Sequence, residues 1–169
     1  MLDTLRRLFK HRWLDESAAR RAVPADMAER LRLRVAASEM RHSGEIRIYI
    51  EAGLPWSYLW RKATARERAL AMFAKLRVWD TQDNNGVLIY LLLAERAIEL
   101  VADRGLNQAV APQEWKAMIG RMGGAFKQAR YEDGLTQAIS EVSAVLVQHY
   151  ALRTGQANPN ELSDAPELG

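Results

Sequence analysis

Apolar and polar positions alternate most clearly over Glu45–Ala52, EIRIYIEA, where Ile46, Ile48 and Ile50 oppose Arg47, Tyr49 and Glu51. A period of two predicts a β-strand with one buried face. Val87–Leu93 is an unbroken apolar run of strand length, as expected of a central strand covered on both sides. Ala97–Ala102 alternates again, and the tight Glu95–Arg96 turn between the two predicts a hairpin. Asp103-Arg104-Gly105 closes that strand.

Helical periodicity fills most of the rest. Leu2, Leu5, Leu8, Phe9 and Trp13 recur at steps of three and four, with Arg6, Arg7, Lys10 and Arg12 mostly off that face. Pro24 starts a helix that places Met27, Leu31 and Val35 on one side and ends near Gly44. Residues 63–77 carry Ala65, Ala69, Met72 and Phe73 on one face. Gly53–Lys62, with Trp56, Tyr58 and Trp60, reads as a loop. Pro112 opens a helix to about Arg130, in which Gly123-Gly124 predicts a bend or break. Glu132–Tyr150 is the last helix, with Leu135, Ile139, Val142 and Leu146 in one stripe. Beyond Leu152 the composition turns to Gly, Asn, Pro, Ser and Asp, which predicts disorder over residues 153–169. The order, two helices, strand, helix, hairpin and two helices, suggests a small mixed sheet with helices on both faces. The organisation is then an N-terminal helical arm (1–42), an α/β domain (43–152) and a tail.

Composition adds exclusions. The 169 residues contain no cysteine, which removes disulfides, thiolate metal sites and a cysteine nucleophile. The net charge of +3 is concentrated in residues 1–42, with ten Lys/Arg against six Asp/Glu, while residues 43–150 carry thirteen against twelve. So weak an excess argues against nucleic acid as a partner. The apolar run before Glu95 is far short of the ~20 residues a spanning helix needs. No secretory signal is evident, and the chain reads as cytoplasmic. The N-terminal helix, through Leu5, Phe9 and Trp13, is the candidate contact with a protein partner or a membrane surface.

The chemistry-bearing cluster is Asp80, Asp83, Asn84 and Asn85, followed by Gly86, just ahead of the most apolar strand. Carboxylate, amide and carbonyl oxygens suit a hard cation such as Ca²⁺ or Mg²⁺. The same residues also make an ordinary Asx-rich turn. The loop is not an EF-hand, because Thr81 and Leu92 fall where that motif has its first and last ligands. No nucleophile is paired with a base, and the three histidines, His11, His42 and His149, are scattered.

Four segments in order, SGEIRIYIEA (Ser43–Ala52), KLRVWD (Lys75–Asp80), DNNGVLIYLLLAERAIELVADRGL (Asp83–Leu106) and RYEDGLTQAISEVSAVL (Arg130–Leu146), resemble the TPM-domain family, also called the TPM phosphatase family. The resemblance covers about residues 40–150. It implies a three-layer α/β/α sandwich, divalent-cation binding and, for a plant thylakoid member, acid phosphatase activity. Carried onto this chain, it makes Asp80, Asp83 and Asn85 the first candidate ligands, with Asp103 a further one. Two functions follow: a non-enzymatic module that binds a partner, such as a membrane-protein complex, and a metal-dependent phosphatase acting on phosphomonoesters. In the second, hydrolysis would be metal-assisted.

Overall fold

A computed structural model describes His11 and residues 16–169, Glu16 through its backbone alone. The elements are α1 (Glu16–Ala22), α2 (Ala25–Glu39), β1 (Ile46–Glu51), α3 (Trp56–Trp60), α4 (Ala65–Lys75), β2 (Val87–Leu92), β3 (Ala97–Ala102), α5 (Arg104–Ala109), α6 (Pro112–Lys127), α7 (Tyr131–Tyr150) and β4 (Glu167–Leu168), with a single 3₁₀ turn at Leu93–Glu95. The expected N-terminal helix, with Leu5, Phe9 and Trp13, lies outside the described residues apart from His11.

The sheet runs β3-β2-β1-β4. β1 and β2 are parallel with Ile46 beside Val87, whereas β2 and β3 form the antiparallel hairpin with Val87 beside Ala102. Arg96 turns that hairpin in the left-handed region, at φ 50°. The alternating pattern now has a physical destination. Ile46, Ile48 and Ile50 join Val87, Ile89 and Leu91 on one face, packed against Leu31 and Val35 of α2, Met122 and Phe126 of α6, and Leu135, Ile139 and Val142 of α7. Ala19 and Val23, in and just after α1, belong to the same core. Tyr49, Leu88, Tyr90 and Val101 face the opposite layer, where Leu59 of α3 and Ala69 and Met72 of α4 cover them. Helices on both sides of a mixed four-stranded sheet make the α/β/α sandwich. Among the described residues, no helix is long and apolar enough to cross a membrane.

Five features differ from the sequence expectation. The second face of β1 is buried as well, because Glu51 is held by Arg68 of α4, with Nε to Oε2 at 2.9 Å. Residues 56–60, expected as loop, form a turn of helix. Arg104, expected to follow a strand end, begins α5, with Asp103 as its N-cap. Gly123 and Gly124 neither bend nor break α6, which runs unbroken from Pro112 to Lys127. Packing of Met118, Met122 and Phe126 outweighs the weak glycine propensity. The tail expected to be disordered instead follows the outer edge of β1. Arg47 donates to the carbonyls of Ser163 and Ala165, Leu162 N donates to Glu45, and Glu167–Leu168 pairs with Tyr49–Ile50. Its polar composition serves hydrogen bonding to the edge strand here and does not signal solvation.

Candidate functional site

The Val78–Gly86 loop, the lead into β1, the β3–α5 junction and the C-terminal end of α7 meet at one end of the sheet. Close backbone approach builds the loop. Gly86 sits against Val78 O, where a Cβ would come within 2.1 Å, and Asn84 takes a left-handed φ of 52°. Asparagine tolerates that conformation better than most residues.

Ser43 organises the polar side chains. Its hydroxyl donates to Asp83 Oδ2 at 3.1 Å and accepts from Asn85 Nδ2 at 3.2 Å. Its backbone N–H donates to Tyr150 O at 2.9 Å, which joins the site to the end of α7. Asp103 N donates to Gly86 O, and Asp103 Oδ1 accepts from Arg104 N at 2.7 Å. Asn85 and Asp103 are both buried, and each keeps one side-chain oxygen, Asn85 Oδ1 and Asp103 Oδ2, without a hydrogen-bond partner. A buried oxygen left unpaired is costly, so two at one end of a sheet call for a ligand or a functional account.

Gly105 floors a narrow cradle. A Cβ there would lie 2.5 Å from the Tyr150 hydroxyl, 2.6 Å from Asn84 O and 3.0 Å from Asp83 O. Tyr150 has its phenol pKa raised by burial first, then by the negative charges of Asp83 and Asp103. Both carboxylates therefore act on the same hydroxyl. Arg104 sits at the rim, with Nε donating to Asn84 Oδ1 at 2.8 Å.

Of the four expected ligands, the structure brings Asp83, Asn85 and Asp103 into this end of the sheet. Asp80 does not join them. Its carboxylate is exposed and ion-paired with Arg77 at 2.8 Å, three residues earlier. The Arg104 guanidinium turns to Asn84 and makes no ion pair with Asp103 among the described residues. Ser43 and Tyr150 are the participants that sequence spacing did not supply. Ser43 opens the first of the four segments quoted above, but its 40-residue separation from Asp83 hid the contact. Among the described residues, no three His, Asp or Glu side chains form a metal cluster. The donor set is instead two carboxylates with neutral amide, hydroxyl and main-chain oxygens. It contains no nitrogen or sulfur ligand. An all-oxygen set of this kind fits a hard cation of the Ca²⁺ or Mg²⁺ type.

Comparison with known proteins agrees with the architecture. The family profile described as the TPM domain matches residues 22–145. The NMR structure of the BA42 protein from the psychrophilic bacterium Bizionia argentinensis superposes with a TM-score of 0.74 at 23% identity, covering 87% of this chain and 95% of that one. No curated protein matches the chain.

Proposed function

The chain belongs to the TPM-domain family, and from that premise we propose that it is a binding module with a divalent-cation site at Asp83, Asn85 and Asp103, completed by Ser43, Tyr150 and the Gly105 cradle. The observation that carries this reading is the pair of buried, unpartnered oxygens, Asn85 Oδ1 and Asp103 Oδ2. Bound there, Ca²⁺ or Mg²⁺ would neutralise the two carboxylates and tie the loop before β2 to the start of α5. The cation would thus act as a clamp between elements. The module's partner would be a protein or membrane-protein complex, engaged through the N-terminal segment with Leu5, Phe9 and Trp13.

Thermal unfolding with and without CaCl₂ or MgCl₂ tests the cation site. Either salt should raise the melting temperature of the wild type and leave Asp103→Asn unmoved. A wild type unmoved by both ions overturns the reading. Deleting residues 1–13 should abolish co-purification of a partner protein, and unchanged recovery would remove that segment from the function.

One arrangement favours the second reading, a metal-dependent phosphatase. Ser43 donates its hydroxyl proton toward Asp83 while Arg104 holds a guanidinium at the rim, where it could meet a phosphate. The metal would supply charge neutralisation at the phosphoryl oxygens. Turnover of an aryl phosphate that disappears in Ser43→Ala and Arg104→Met would support this reading. Absence of turnover by the wild type with Mg²⁺ or Ca²⁺ would end it.

A further inference from the structure

Helix α3 lies at the other end of the sheet from the candidate cation site. It follows β1, whereas Ser43 and Asn85 precede β1 and β2, and six-residue strands put about 17 Å between the two ends. The helix is anchored on one side only. Leu59 is buried among Tyr49, Leu88 and Met72, and the Tyr58 ring carries the guanidinium groups of Arg61 and Arg68 at 4.5 and 5.0 Å. The opposite side bears Trp56 and Trp60, four residues apart and therefore neighbours on one helical face. They are 56% and 85% exposed. Arg61 and Lys62 follow directly and are exposed too. Arg61 lies over the Tyr58 ring and meets Glu67 at 3.4 Å, and the Lys62 ammonium makes no ion pair among the described residues.

We propose that Trp56 and Trp60 insert into the interface of an anionic lipid bilayer, with Arg61 and Lys62 on the headgroup phosphates. Two adjacent indoles held outward on an anchored turn are an interaction surface, not a remnant of the core. An indole pairs an apolar body with an N–H donor, a combination suited to the boundary between acyl chains and headgroups. The exposed Lys62 ammonium and Arg61 guanidinium beside it add attraction to an anionic leaflet. His11 reaches the same region, since its Nδ1 accepts from Leu54 N at 2.9 Å, two residues before Trp56. This surface does not depend on the cation site.

The test is co-sedimentation of the full chain, in EDTA, with phosphatidylcholine vesicles and with vesicles that also contain phosphatidylglycerol. The wild type should bind the anionic vesicles with a blue-shifted tryptophan emission. Trp56→Ala/Trp60→Ala should weaken binding by about tenfold or more without lowering the melting temperature. Arg61→Glu/Lys62→Glu should remove the preference for phosphatidylglycerol. Lipids with brominated acyl chains should quench the wild-type emission, a measurement that needs no variant. Absence of wild-type binding, equal binding to neutral vesicles, binding undiminished in the tryptophan variant or absence of quenching would each overturn the proposal.

Discussion

Ser43 and Asp83 are forty residues apart in the chain, yet the Ser43 hydroxyl donates to Asp83 Oδ2 at 3.1 Å while it accepts from the Asn85 amide. One hydroxyl therefore fixes both an exposed carboxylate and a buried amide. Ser43→Ala would leave Asn85 Nδ2 without that acceptor. The expected cost is about 1–2 kcal/mol, read as a lower denaturation midpoint with an unchanged denaturant slope. No change in the midpoint would show that Asn85 is held by the backbone alone.

Glu39 carries a pH prediction. Its carboxyl is buried beneath the tail and is pushed up to about 9, chiefly by burial, with the charges of Glu45 and Asp164 adding to the shift and the bond from Ile46 N opposing it. A folded pKa above the unfolded one means that the native state holds the extra proton. Its stabilising effect is complete below about 4.5 and is lost as pH rises toward 9. Glu39→Gln keeps an acceptor for Ile46 N and cannot ionise. Its stability should therefore fall less than the wild type's between those values, in urea unfolding followed against pH. Glu45 is shifted upward by burial too, so the variant's profile should be flatter and still sloped. Parallel profiles for the two proteins would contradict the assignment.

Arg68 and Glu51 form the buried ion pair of the α4 layer, and the Tyr90 hydroxyl donates to the same carboxylate at 2.6 Å. Removing the guanidinium alone strands a charge. Arg68→Ala should cost about 3–5 kcal/mol, and replacing both partners by apolar residues should restore much of that loss. Equilibrium unfolding of the single and double variants gives the comparison. A loss below about 1 kcal/mol in the single variant, as for a surface pair, would show that the pair is solvated.

The strands and long helices were legible because each buries a periodic face. EIRIYIEA and VLIYLL announce themselves by alternation and by continuous apolarity, and α7 by its stripe from Leu135 to Leu146. What was not legible depends on distant partners. GLNQAV has no stripe, so α5 shows only through Asp103 as its N-cap. The tail is polar along its length, and its order comes from Arg47, Glu45 and the open edge of β1. In the site, Asp83, Asn85 and Asp103 could be read as oxygen donors, whereas Ser43 and Tyr150 are brought in by the fold. Asp80 has the right chemistry and the wrong direction, because a guanidinium three residues away pairs with it.

The tail gives a separate test. Deleting residues 153–169 removes β4 from β1 and the acceptors of Arg47, exposing a strand edge that can pair with another copy. The shortened chain should melt lower and show concentration-dependent self-association in sedimentation velocity. A monomer with wild-type melting would show that the edge needs no cover.

Titration calorimetry with Ca²⁺ and Mg²⁺ on four proteins decides whether Asp83, Asn85 and Asp103 hold a cation. The wild type and Asp80→Asn should bind one ion with the same affinity, while Asp83→Asn and Asp103→Asn should show saturable binding weakened at least about tenfold or abolished. A wild type that binds neither ion, or an Asp80→Asn that loses binding while Asp83→Asn keeps it, would rule out the proposed cation site.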